Sequence, residues 1–248
     1  MISVIIPAYD KQELTIAHIK KCMESSVMPG EIIVVNDGDD PKLLDMIKDI
    51  EKIKCPIKYA RVTEDIPWNQ CGARNLGIFI SKGDYLSIED NDHIPSETYY
   101  EEAVNLLKEN DRIIPRTRQI VNMEDILKGI FKPTSTRGKT DLTCIITREL
   151  AIKLKGYEEK FCGRYGWEAP DWINRINRVG AKTICNGVMY MVIDGLVEKI
   201  ERPHDGKNFK MERENSWELR RNNKAERKQS TKGIINFNYD YEEIHTNI

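Results

Sequence analysis

The chain begins with Ile2-Ser-Val-Ile-Ile6, apolar on both faces and closed by Pro7. A β-branched run without alternation marks a strand buried on both sides, as in a parallel sheet. Residues 11–27 change to a helical period through Leu14, Ala17, His18, Ile19 and Cys22. A second strand of the buried type follows at Glu31–Val35 and runs into Asn36-Asp37-Gly38. Pro41 suits a first helical turn and opens a helix expected to reach Ile53. Residues 57–62 read as a third strand, 72–81 as a helix and 85–88 as a fourth strand. Strand and helix alternate throughout this half, which predicts an α/β layered fold with right-handed crossovers.

The second half is less regular. Pro95–Lys108 reads as a helix, 112–121 as a strand, and 131–141, rich in Thr, Ser, Lys and Gly, as a mobile loop. A strand at 142–147 and a short helix at 148–155 come next. Trp172–Val179 is amphipathic, with Ile173 and Ile176 on one side and Arg175 and Arg178 elsewhere. Residues 186–194 read as the last strand. There is no internal repeat and no linker long enough to separate two domains.

Composition narrows the class. A chain of 248 residues suits one large domain, or one domain with a small appendage, and it can bury a sizeable core. With 38 Lys+Arg against 40 Asp+Glu the net charge is −2, which excludes a protein that is basic all over and grips nucleic acid. At 40% hydrophobic residues it is not a disordered chain. No apolar run approaches the roughly 20 residues that span a bilayer, and Met1 leads directly into a strand, so neither a membrane span nor a signal peptide is expected. Six cysteines without CxxC spacing read as reduced thiols and point to a cytoplasmic protein.

In open α/β sheets ligands bind at the carboxyl ends of the strands. Here strand one ends at Pro7-Ala-Tyr-Asp10, strand two at Asn36-Asp37-Gly38-Asp39-Asp40, and strand four at Glu89-Asp90-Asn91-Asp92-His93. Residues 83–107 hold seven acids and no Lys or Arg. Such a cluster repels itself unless a divalent cation is bound or a carboxyl takes up a proton, and oxygen ligands suit Mg²⁺ or Mn²⁺. Asp90-Asn-Asp92 is a D-x-D spacing, weak alone and stronger in this setting.

Four segments carry a resemblance. They are Ile2–Asp10, Ile32–Asp37, Cys71-Gly-Ala-Arg-Asn-Leu-Gly77 and Asp84–Pro95. In motif, order and spacing they resemble the inverting family 2 type glycosyltransferases of GT-A fold. Asp-Asn-Asp-His-Ile-Pro is similar to the D-x-D-x-I-P of β-1,4-galactosyltransferases and bacterial polysaccharide polymerases. Gly163–Trp172 resembles their G-W-G-x-E-D-x-D segment, and His204-Asp-Gly-Lys-Asn208 their late His motif. The likeness covers residues 2–208 and implies one Rossmann-like nucleotide-binding domain with a mostly parallel central sheet. Within it, 1–95 forms the nucleotide half and 96–208 the acceptor half. Residues 209–248 are expected as a basic helical extension.

The resemblance assigns roles. Asp37 reads the uracil edge, while Pro7, Tyr9 and Asp10 wrap base and ribose. Arg74 lies near base and pyrophosphate, where its guanidinium suits phosphate. Asp92 coordinates Mn²⁺ or Mg²⁺, Asp90 holds ribose or the metal shell, and His204 is a third protein ligand. Trp167 packs beside the sugar. The implied reaction moves a sugar from a UDP-sugar to a hydroxyl of a glycan, lipid-linked or other acceptor. Inverting transfer needs a carboxylate that takes the acceptor proton. The family pattern has Asp after Glu as that base, and here the position is Ala169. Glu168 and Asp171 are equal candidates, and Asp171 is also well placed as an N-cap. A nucleotide-sugar or glycan-binding pseudoenzyme is the alternative that Ala169 raises. A nucleotidyltransferase ranks last, without a Gly-rich Lys loop after strand one. Residues 199–232 hold eleven Lys+Arg and six Asp+Glu, read first as a solvated face. A grip on an anionic acceptor is the sharper reading, with modified DNA bases its least expected form.

Overall fold

A computed structural model describes residues 1–38, 42–64, 66, 68–141, 143–163, 166–193 and 241–246, with side chains of the last strand to Glu243. Strand β1 (Ile2–Ala8) is central. It pairs in parallel with β2 (Glu31–Asn36) on one side and β4 (Tyr85–Ile88) on the other, and β2 pairs in parallel with β3 (Ile57–Val62). Helices α1 (Gln12–Cys22), α2 (Lys42–Lys48) and α3 (Gln70–Ile80) form the crossovers. The first half therefore has the alternation that its periodicity predicts.

The second half adds strands to the same sheet. They are β6 (Arg112–Ile114), β9 (Cys144–Thr147) and β10 (Thr183–Cys185). The sheet has eight strands in the order β10-β6-β9-β4-β1-β2-β3-β12, where β12 is Tyr241–Thr246. A second, four-stranded sheet runs β5-β11-β7-β8, from β5 (His93–Pro95), β7 (Thr117–Asn122), β8 (Ser135–Arg137) and β11 (Val188–Ile193). Helices α4 (Tyr99–Leu106), α5 (Met123–Leu127), α6 (Arg148–Leu154) and α7 (Glu168–Arg178) complete the described fold.

The main sheet is buried on both faces, which explains its unalternating apolar strands. Ile2, Val4 and Ile6 pack with Ile19, Leu43, Ile47, Tyr99 and Tyr100 on one face. Ile5, Ile33 and Val35 pack with Ala73, Leu76, Leu150, Trp172 and Ile176 on the other. Each such aliphatic side chain, withdrawn fully from water, contributes about 1.5–3 kcal/mol. Helix α3 lies close on β1. A Cβ on Gly77 would stand 2.3 Å from the Ile5 Cγ2 atom, so only glycine fits there.

Several boundaries differ from the sequence reading. The strand expected over 112–121 is two strands in two sheets, divided at Pro115, which has no N–H for a ladder. The helix expected from Pro95 starts at Tyr99, because His93–Pro95 is paired with Met189–Met191 of β11. The expected loop 131–141 contains β8. Helix α7 starts at Glu168 rather than near Trp172, with Pro170 tolerated in its first turn. Residues 241–246 are a strand on the edge of β3, not part of a helical extension. Residues 209–240 lie outside the described residues.

Candidate active site

The acidic turn after β4 is held from behind by a buried polar network. Glu89 is fully buried and accepts hydrogen bonds from Tyr100 Oη (2.9 Å) and from Ser87 Oγ. His18 on α1 places Nε2 2.7 Å from the Glu89 carboxylate and Nδ1 3.3 Å from the Asn91 carbonyl. The Asn91 side chain turns back to Thr15, 3.0 Å away. The residue between the two aspartates thus anchors the turn to α1 and leaves Asp90 and Asp92 to other partners.

The aspartates have different partners. Asp90 receives an N–H of Arg74 and is mostly shielded. Arg74 is fully buried on α3 with its guanidinium 5.1 Å over the Tyr157 ring. Burial opposes that charge, but Asp90 outweighs it and keeps the guanidinium protonated. Asp92 is 39% exposed at its side chain and bonds His93 Nδ1 at 2.7 Å. Burial works against the charge on both, yet their mutual hydrogen bond holds the Asp92 carboxyl low and the His93 imidazole high.

A divalent cation fits these residues. Asp90, Asp92 and His93 bring one ligand atom each to within 4.8 Å of one another. His93 Nε2 is buried with no hydrogen-bond partner among the described residues. Two carboxylates and an imidazole are a donor set suited to Mn²⁺. His93 was not among the ligands expected from the sequence. His204, which was, lies outside the described residues.

The remaining loops converge on the same end of the sheet. Asp37 follows β2 and accepts from Asn69 Nδ2 at 2.8 Å. Tyr9 is exposed, with its ring over Gly38. Pro7 is half-buried, and Asp10 adopts a left-handed backbone with φ 51°. Trp68 (φ 54°) and Trp167 (φ 71°) are also left-handed. For bulky residues that conformation is strained and persists where the surroundings fix it, as at functional sites.

Helix α7 separates the two candidate bases. Glu168 at its start is half-buried beside Trp68, Arg74 and Asp90, and its Oε2 is enclosed with no hydrogen-bond partner among the described residues. Burial pushes its carboxyl above the usual range, with Arg74 and the Trp68 indole opposing. Asp171 lies one turn on and accepts from Arg175 Nε at 2.8 Å, both side chains being buried. The Arg175 Nη1 atom also donates to the Leu154 (2.8 Å) and Gly156 (2.7 Å) carbonyls. The Arg175 guanidinium sits over Trp172, which stacks on Tyr157 with ring centroids 4.1 Å apart. Asp171 is thus one end of a buried column that leads back to Arg74. Ala169 is buried as well.

Comparison with known sequences decides the family. The family model described as glycosyl transferase family 2 matches residues 3–148. The chain belongs to glycosyl transferase family 2. This family 2 chain is similar to chondroitin synthase of Pasteurella multocida (strain Pm70), at 24% identity over 254 residues, covering 86% of this chain and 26% of the synthase. It therefore spans about a quarter of that relative's length. Its fold is similar to Staphylococcus aureus TarS 1–349, with TM-score 0.56 and 16% identity over 77% of this chain and 60% of that one. It is also similar to the mannosyltransferase PcManGT from Pyrobaculum calidifontis in complex with GDP-Man and Mn²⁺, with TM-score 0.57 and 18% identity over 92% and 64%. The GT-A fold expected from the motifs is the fold observed. The family 2 match runs from β1 through β9 and stops short of α7, so Trp167, Glu168 and Asp171 lie outside the matched residues. No helix among the described residues is long and apolar enough to cross a membrane.

Proposed function

We propose that this family 2 chain transfers a sugar, with inversion, from a UDP-sugar to an acceptor hydroxyl, and that Glu168 is the base. The observation that supports the second part is the half-buried Glu168 carboxylate beside Asp90 and Arg74, with one enclosed oxygen uncommitted. Asp171 is already committed to Arg175. The donor part rests on family membership and on the convergence of Asp37, Arg74, Asp90 and Asp92 at one end of the main sheet.

In this reading Tyr9, Asp10 and Asp37 hold the base and ribose, with Pro7 fixing the loop. Trp167 flanks the sugar. Asp92, Asp90 and, after loss of its proton, His93 would hold a divalent cation, which would stabilise charge on the departing diphosphate. Glu168 accepts the proton of the acceptor hydroxyl. The acceptor oxygen bonds the anomeric carbon as the bond to the diphosphate oxygen breaks, and the nucleoside diphosphate leaves with that electron pair. A panel of UDP-sugars with Mn²⁺ tests this, read as released UDP. Turnover that disappears in Asp92→Ala is the expected result. Tight UDP binding without turnover on any donor would sink the enzyme reading and favour the binding protein that Ala169 suggests.

A further inference from the structure

The small sheet carries charge that this reaction does not use. Its strands pair so that Pro95, Met189, Arg118 and Arg137 form one cross-strand row, and His93, Met191, Ile120 and Ser135 the next. Register partners and alternate residues share a face. His93 and both arginines therefore stand on one side of the sheet. The other side packs Ile94, Val121 and Val192 on Leu14 and Ile126 of α1 and α5.

Arg118 and Arg137 are directly opposite each other on antiparallel strands. Like charges so placed repel, and the strand pair is weaker for it. Nothing described nearby neutralises them. Arg118 donates through Nε to the Gly138 carbonyl (2.9 Å) and through Nη2 to the Lys139 carbonyl (3.4 Å), both uncharged acceptors. Its Nη1 lies 3.6 Å from Met191 Sδ. The Arg137 side chain is exposed and makes no hydrogen bond or ion pair among the described residues, and Lys139 nearby is exposed too. The acid that Arg118 senses is Asp92, itself bound to His93. Backbone carbonyls thus hold Arg118 in place while leaving its charge for another group.

We propose that Arg118 and Arg137, with Lys139 at their edge, bind an oxyanion of the acceptor, which makes the acceptor an acidic glycan. This rests on the transfer reading above. The position favours acceptor over donor. Asp37, Asn69, Arg74 and Asp90 lie toward β2 and α3, whereas the two arginines lie beyond Asp92 on the other sheet, and Arg74 already places a cation on the donor side. Guanidinium groups match carboxylate and phosphate oxygens with paired N–H donors.

The test is calorimetric titration of the full chain with UDP and Mn²⁺ present. The probes are an oligosaccharide of alternating hexuronic acid and hexosamine, the same molecule with its carboxyls reduced, and a phosphodiester-linked polyol oligomer. The expected result is that one acidic probe binds about tenfold or more tighter than the reduced one, and loses that preference in Arg137→Gln and in Arg137→Glu. Which acidic probe wins distinguishes carboxylate from phosphate. Arg137 is exposed, so these variants keep the fold, and UDP affinity stays unchanged. Equal binding of acidic and reduced probes, or no binding of either, overturns the proposal. So does equal competition by a short DNA duplex, or a loss of UDP affinity in Arg137→Gln that matches the loss for glycan. Glycan preference without any UDP binding would support the anion site and remove the transfer reading.

Discussion

Glu168 and Asp171 share a helix turn and little else. Glu168 is half-buried, with one enclosed oxygen that has no fixed partner, and Asp171 is locked to Arg175. Glu168→Gln is expected to lower kcat by about 10²–10⁴-fold, the usual contribution of a positioned base. Because burial raises the Glu168 pKa, its base form is lost as pH falls through that raised value. The acid limb of kcat/KM should lie above the ordinary carboxylate range and vanish in Glu168→Gln. A limb unchanged in the variant assigns the base elsewhere. Asp171→Asn is expected to reduce stability by about 3–5 kcal/mol in urea unfolding, since it strands a buried Arg175, and to leave kcat per folded molecule near wild type. The Asp171–Arg175 pair was not readable, because a helix starting at Trp172 makes Asp171 its N-cap, whereas α7 starts at Glu168 and places both residues inside it, four apart. The setting of Glu168 was not readable, because Trp68 just before α3 and Arg74 within it reach it from roughly a hundred residues earlier. His93 was in plain view next to Asp92, but its alignment depends on β5 joining the small sheet.

The central strands are joined by charge as well as by apolar contact. Glu31 on β2 accepts from Ser3 Oγ of β1 (2.6 Å) and from the Lys82 N–H (2.5 Å), and it pairs with Lys58 of β3 (2.8 Å). Burial opposes the Glu31 charge, but Lys58, Ser3 and the Lys82 N–H more than offset it and hold its carboxyl low. A carboxylate depressed on folding adds stability above its unfolded pKa of about 4.3 and loses it as pH falls through the folded value. Glu31→Gln is expected to be less stable than wild type by about 3 kcal/mol at neutral pH, with the gap closing in acid. A gap that is constant from pH 7 to pH 3 would refute the linkage. At this scale the sequence was legible where strands are buried on both faces, as in β1 to β4. It was opaque for β5, β8 and β10, three residues each and too short to show a period, and it merged β6 with β7. In β8 the residues Ser135, Thr136 and Arg137 are exposed and offer no hydrophobic signal at all.

For the whole molecule, the two sheets meet at the acidic turn, since β4 leads into Asp90–Asp92 and then into β5. Nucleotide and metal should therefore stabilise the entire fold as a unit. UDP with Mn²⁺, each near a hundred times its Kd, is expected to add about 2.7 kcal/mol per ligand bound, seen as a rise in Tm. Asp92→Ala should abolish the Mn²⁺ increment and retain most of that from UDP. Identical Mn²⁺ shifts in both proteins would place the cation elsewhere. The net charge of −2 hid this organisation, because acids gather at the turn while cations gather across the small sheet and in residues 199–232. The two sheets also differ in how much change they tolerate. Residues 132–139 are all exposed and none belongs to a hydrophobic cluster, whereas β1, β2 and β4 are walled in on both sides. Random substitution is filtered hard in the large sheet and lightly around β8. Descendants of such a chain diverge in what they recognise long before they diverge in how they fold.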